Sequence, residues 1–204
     1  MKAYKIEQYN AQVEDIHFQT KFGGQPDWIS TPQWPVSEAW GNRPMKFIGQ
    51  VRLDEFLEEV EEMTLAYIFM TQPVDRNDTF YDPDIIIPDS GESAVIIQPT
   101  GEIQDYIKVI ECAGGPSVDN EQVWIPQVSE CKENTEVAFE NLDVDKFCGT
   151  PAFFQNSQVE EGSTLLLQLH TNWLPFYINA GGEPTMFIFL RESKKEGFIL
   201  IEDM

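Results

Sequence analysis

The stretch FGGQPDWISTPQWPVSEAWGNRPMKFIGQV, Phe22 to Val51, decides how the chain folds. Gly23, Gly24, Pro26, Pro32, Pro35, Gly41 and Pro44 punctuate it too densely for any helix to run through. Trp28, Trp34 and Trp40 fall inside it, and each needs a place to bury its ring. It ends in Met45–Val51, rich in β-forming residues, which reads as a strand. The unit is therefore a rigid aromatic turn that feeds a strand.

The same unit recurs downstream. Phe22, Gly24, Pro26, Trp28 and Ile29 match Phe147, Gly149, Pro151, Phe153 and Phe154. Phe47–Val51 matches Leu165–Leu169, with a glutamine (Gln50, Gln168) at the same place in each apolar run. Ala66–Met70 then matches Met186–Leu190, so the three offsets are 125, 118 and 120 residues. Two copies predict two pseudo-repeated β units packed together in one domain, since a solenoid needs at least about three. The expected bounds are a first unit over about 15–72, an acidic middle over 73–146 and a second unit over about 147–204.

Between the copies the pattern changes. LDEFLEEVEEMT, Leu53 to Thr64, places Leu53, Phe56, Leu57 and Val60 at helical spacing and the glutamates opposite, which predicts a short helix. Leu65–Gln72, Ala94–Gln98, Val123–Val128 and three apolar runs after Thr164 read as strands. Residues 1–20 read as a short strand or helix, with Ile16 and Phe18 alternating around His17, and the acidic segment before Phe147 as surface loop. The fold class expected is α+β, β-rich, with one or two short helices.

Charge is the most informative bulk property. Of 35 acidic and 13 basic side chains, 23 acidic and three basic ones lie between Asp54 and Asp145, so nearly all of the −22 net charge sits between the two motifs. Such a field repels nucleic acid and anionic membranes and draws basic partners inward. No apolar run approaches the roughly 18 residues of a membrane span. Three cysteines, odd in number and without a C-x-x-C pair, fit a reducing cytoplasmic compartment and no zinc site.

Catalytic signatures are absent: no Gly-x-Ser-x-Gly elbow, His-Glu-x-x-His, P-loop or dinucleotide fingerprint occurs. The aspartates of 75–89 follow no calcium-loop order, so neither metal nor cofactor is expected. His170 follows an apolar strand and reads as a structural histidine before a catalytic one.

Lys21–Ile29 with Pro35 and Met45–Gln50, together with Asp82–Pro83 and Gly91–Gln98, resemble the YwqG-like family, a bacterial domain of unknown function. The opening motif is also similar to the programmed cell death protein 2 group, whose members act as chaperones for a basic ribosomal protein. Relatives of that group carry a zinc half-site where this chain has Ser37 and Trp40, so the resemblance brings no zinc. YwqG-like genes lie beside toxin genes, which implies immunity proteins among them.

These readings converge on a non-enzymatic protein-binding module whose acidic surface holds a basic protein, either a toxin or a client. The residues expected to meet it are Glu55, Glu58, Glu59, Glu61, Glu62, Asp82 and Asp84. The alternative is a small-ligand-binding or enzymatic β domain with an aromatic-lined cleft between the repeats, built from Trp28, Trp34, Trp40 and His170.

Overall fold

The computed structural model describes residues 2–12, 17–74, 77–78, 80–131, 144–155 and 157–203. Ile16, Asp75 and the acidic stretch 132–143 lie outside the described residues. The strands are β1 (Ala3–Gln12), β2 (Lys21–Gly23), β3 (Trp34–Ser37), β4 (Arg43–Pro44), β5 (Lys46–Arg52), β6 (Leu65–Met70) and β7 (Ser93–Gln98). They continue with β8 (Lys108–Ile110), β9 (Val123–Cys131), β10 (Lys146–Cys148), β11 (Thr164–His170), β12 (Thr185–Leu190) and β13 (Gly197–Glu202).

Ten strands close into a barrel in the order β1-β10-β11-β12-β13-β7-β6-β5-β2-β9, and β4-β3-β8 form a separate small sheet. Every residue of β6, β7, β12 and β13 is buried, which explains why these strands read as unbroken apolar runs. Their inward residues, Ile68, Val95, Ile188 and Ile199 among them, fill the barrel. The outward residues of the first half, Tyr67, Phe69 and Ile96, pack with Trp34 of the small sheet. Those of the second half, Phe187, Phe189, Phe198 and Leu200, pack with Phe153 and Val159.

Pairings in the two halves coincide strand for strand. Lys21 faces Gln50 across β2 and β5, and Lys146 faces Gln168 across β10 and β11. A bulge interrupts β5–β6 between Phe47 and Gly49, and β11–β12 between Leu165 and Leu167. Gln50 accepts from Asp27 N–H (2.9 Å) and donates to Gln19 C=O (2.8 Å), while Gln168 accepts from Ala152 N–H (3.1 Å) and donates to Val144 C=O (3.0 Å). Trp28 lies on Tyr67 at 4.6 Å between centroids, and Phe153 on Phe187 at 4.9 Å. The left-handed backbone of Gly23 and Gly24 (φ 70° and 64°) recurs at Cys148 and Gly149 (φ 59° and 81°). At Gly23 a side chain would also meet Gln122 O at 2.6 Å.

The remaining strands pair across the length of the chain. β1 pairs with β10, whereas β2 pairs with β9. β1 and β9 pair with each other along their whole length, from Ala3↔Cys131 to Gln12↔Val123.

Two sequence expectations change. The predicted helix at Leu53–Thr64 is a 3-10 turn, Leu53–Glu55, followed by irregular chain. Leu53 N–H bonds Thr64 O at 2.8 Å, closing the segment as a loop whose apolar side chains cap the barrel end. Glutamates at i, i+3 and i, i+4 (Glu55, Glu58, Glu59, Glu62) repel along a helix and help to disfavour it. The α+β label gives way to β-rich, since 3-10 turns are the helical elements among the described residues. The stretch 73–146, expected as the acidic middle of the one domain, supplies β7 and β9 to the barrel. No helix among the described residues is long and apolar enough to cross a membrane.

Candidate functional site

The loop between β5 and β6 assembles a groove at one end of the barrel. Leu53, Phe56 and Leu57 point inward as its anchors. Phe56 stacks on Phe147 with centroids 4.3 Å apart and rings 12° from parallel, and Tyr4 meets Phe56 edge-on at 5.4 Å. Glu58, Glu59, Glu61 and Glu62 are thereby turned to solvent. A cavity of about 540 Å³ opens between loop and β1, lined by Lys2, Tyr4, Phe56, Glu58 and Glu59.

The rim is acidic and the floor aromatic. Lys2 Nζ lies 3.6 Å from Glu58 and 4.0 Å from Glu130, so a cation of the chain itself already stands between the loop and β9 at the groove. Arg52 grips Asp54 through Nε and Nη2 at 2.8–3.1 Å, which neutralises the loop's first carboxylate and leaves the later ones as its field. Glu55 accepts from the Thr20 hydroxyl at 3.0 Å. Carboxylates thus supply negative charge at the rim, above a floor in which Phe56 is packed between Phe147 and Tyr4.

The seven acidic residues expected to act together do not share one surface. Arg52 pairs with Leu65 and Met70 with Ser93, so the glutamate loop and the aspartate loop leave β6 at opposite ends, about 17 Å apart along the strand. Asp82 is 4% exposed; it accepts from Trp40 Nε1–H and from Asp84 N–H, and is no surface contact. Asp84 is exposed.

Nor do the aromatics line a cleft. Trp34 is 1% exposed and donates to Met45 O at 2.9 Å, and Trp28 is packed against it at 6.3 Å in the core beneath the small sheet. Trp40 is exposed beside Phe80. His170 is buried on β11, its ring tilted against Trp173 with centroids 4.9 Å apart and its backbone N–H on Asp145 at 2.6 Å. Strands β7 and β13, and β1 and β9, meet edge to edge, and among the described residues Trp28, Trp34, Trp40 and His170 lie in different surroundings rather than around one crevice. The residues that sequence reading missed are Lys2, Tyr4 and Glu130. The alternation of Tyr4, Ile6 and Gln8 in the opening strand carried a signal for the first two.

Three carboxyls are displaced upward: burial raises Glu55, Asp145 and Glu92, the last pushed further by neighbouring Asp82 and opposed by the Thr71 and Ser37 hydroxyls. Each binds its proton more tightly folded than unfolded, so its contribution is full below the ordinary carboxylate range and is lost as pH rises through the raised value. Asp27 goes the other way: burial is outweighed by Lys21, His17 and the Phe18 N–H, so its stabilisation is lost as pH falls through its lowered value. With the −22 charge also shrinking, the melting temperature rises from pH 7 to about 5 and falls again below about 4. Differential scanning calorimetry across that range reads it, and a melting temperature that peaks above pH 7 contradicts it.

No protein-family model matches the chain, and no curated protein matches it either.

Proposed function

We propose that the chain is a non-enzymatic protein-binding module that holds a basic protein partner at the acidic groove of the glutamate loop. The observation that carries this reading is Lys2, an ammonium seated between Glu58 and Glu130 beside the Tyr4–Phe56 floor. A partner's lysine or arginine makes the same contacts, in a field set by the clustering of acidic residues between Asp54 and Asp145. The partner class is a toxin, with the chain as immunity protein, or a basic client, with the chain as dedicated chaperone. The YwqG-like resemblance belongs to this proposal, as does a cytoplasmic location, favoured by three cysteines without a C-x-x-C pair. So does an internal duplication: the matched registers, bulges and glutamine bonds of the two halves support descent from one repeated unit.

Reversal of Glu58 and Glu59 to lysine tests the groove. Association with the basic partner slows about tenfold at low ionic strength, and the difference from the wild type shrinks as salt shortens the screening length. Stopped-flow kinetics at two salt concentrations measures it. Equal rates for variant and wild type at low salt remove the groove from the binding surface.

A further inference from the structure

At the end of the barrel opposite the glutamate loop, a buried acid holds apolar groups out in solvent. Asp82 is 4% exposed, yet its carboxylate accepts from the indole N–H of Trp40, which is 47% exposed. The other oxygen accepts from Asp84 N–H at 2.8 Å and so caps the 3-10 turn Pro83–Ile86. That turn sends Ile85 into the core and leaves Ile86 and Ile87 each 45% exposed, next to Tyr81 at 43%. Phe80 meets the Trp40 ring edge-on at 4.9 Å, and the Arg43 guanidinium covers Phe80 at 4.0 Å. The indole is therefore fixed in direction by a hydrogen bond and a ring contact while much of it stays wet.

A fixed, exposed tryptophan, tied through Asp82 to the turn that carries two exposed isoleucines, has the composition of a binding hot spot, because little side-chain freedom remains to be lost on contact. The charge around it is predominantly acidic, the Arg43 guanidinium being paired with Asp78 at 3.6 Å. Between Pro73 and Glu92 the sequence has six acidic residues and one basic residue, and Asp84 and Asp89 stand exposed beside the isoleucines. An apolar partner surface alone would leave these carboxylates unmatched, and an acidic one would be repelled.

We propose that Trp40, Tyr81, Ile86 and Ile87 form a second docking surface, which seats an amphipathic basic segment of a partner protein. The segment's apolar side chains lie on the indole and the isoleucines, and its lysines or arginines meet Asp84 and Asp89. This rests on the reading of the chain as a binder of basic proteins, and adds that the partner bears apolar side chains between its cations.

Fluorescein-labelled peptides of about 14 residues serve as probes: one mixing leucine and lysine, one with serine for each leucine, one with glutamate for each lysine. Fluorescence anisotropy is read against the wild type, Ile86→Ser/Ile87→Ser, Trp40→Ala and Glu58→Lys/Glu59→Lys. The leucine–lysine peptide binds the wild type, and either the isoleucine pair or the tryptophan substitution weakens it about tenfold. The isoleucine pair, exposed and outside the core, keeps the wild-type melting temperature. The serine–lysine peptide binds less tightly and is indifferent to both changes.

Unchanged affinity of the leucine–lysine peptide in both patch variants overturns the proposal, as does equal affinity for the leucine–glutamate peptide. Sedimentation showing a wild-type dimer that Trp40→Ala dissociates overturns it too, since the occupant is then a second copy. Failure of the groove reading shows separately, as affinity for the serine–lysine peptide that Glu58→Lys/Glu59→Lys leaves unchanged.

Discussion

Gln50→Leu lowers the unfolding free energy by about 4 kcal/mol, with each buried polar group left unpaired costing about 1–3 kcal/mol. The glutamine is fully buried, and its amide ties the chain on either side of β2, at Gln19 and Asp27, to β5. Its carbonyl takes Asp27 N–H, while its NH₂ gives to Gln19 C=O at 2.8 Å and Asp27 Oδ2 at 2.9 Å. Leucine has nearly the same volume and keeps the packing, so the loss isolates the hydrogen bonds. Gln168→Leu strands Ala152 N–H and Val144 C=O in the same way, and a loss of similar size is expected. Against a typical total of about 5–15 kcal/mol, either change leaves little margin. Urea titration at pH 7 measures both, and losses below about 1 kcal/mol would mean that water replaces the amide.

Lys21→Met costs about 3 kcal/mol, the lower part of the range for stranding one member of a buried pair. Lys21 is 4% exposed and its Nζ sits 2.8 Å from Asp27 Oδ2, on a side chain 8% exposed. Methionine fills the space of the stem but leaves the carboxylate without its closest cation. The loss stays below the upper figure because Gln50 Nε2 and Phe18 N–H still donate to Asp27. Adding Asp27→Asn to Lys21→Met recovers part of the loss, and the recovery measures how much came from the uncompensated charge. The single variant also moves the acid limb of the stability curve upward in pH, since Lys21 is the largest influence holding the Asp27 carboxyl down. A double variant no more stable than Lys21→Met would assign the loss to packing.

Much of the barrel is written locally. Phe22, Gly24 and Pro26 announce a turn that the chain repeats at Phe147, Gly149 and Pro151, and the glutamine in each following strand marks where the backbone of that turn is tied. Those signals are legible because each residue answers a local demand: a left-handed backbone, a fixed φ, or a buried amide with partners. The pairing of β1 with β10 and of β2 with β9 is not legible, since nothing in AYKIEQYNAQ distinguishes Cys148 from Gly23 as the neighbour to choose. Non-local pairing is decided by the completed barrel.

The glutamate loop was misread for a related reason. Leu53, Phe56 and Leu57 keep helical spacing because they cap a barrel end and pack on Phe147, over ninety residues away in the chain. The candidate groove was half visible, as acids without their floor. Its aromatic base joins Tyr4 to Phe56, and only the closed barrel brings the opening strand beside that loop.

The pairing of β1 with β9 and β10 sets a timetable for synthesis. β1 leaves the ribosome before both strands that flank it, β9 and β10, which follow by more than a hundred residues. At ordinary elongation rates the nascent chain carries that strand unpaired for on the order of ten seconds. On a crowded polysome, a neighbouring chain whose β9 and β10 have emerged but not yet paired offers the same edges, so the route to the native barrel competes with one that threads two polypeptides together.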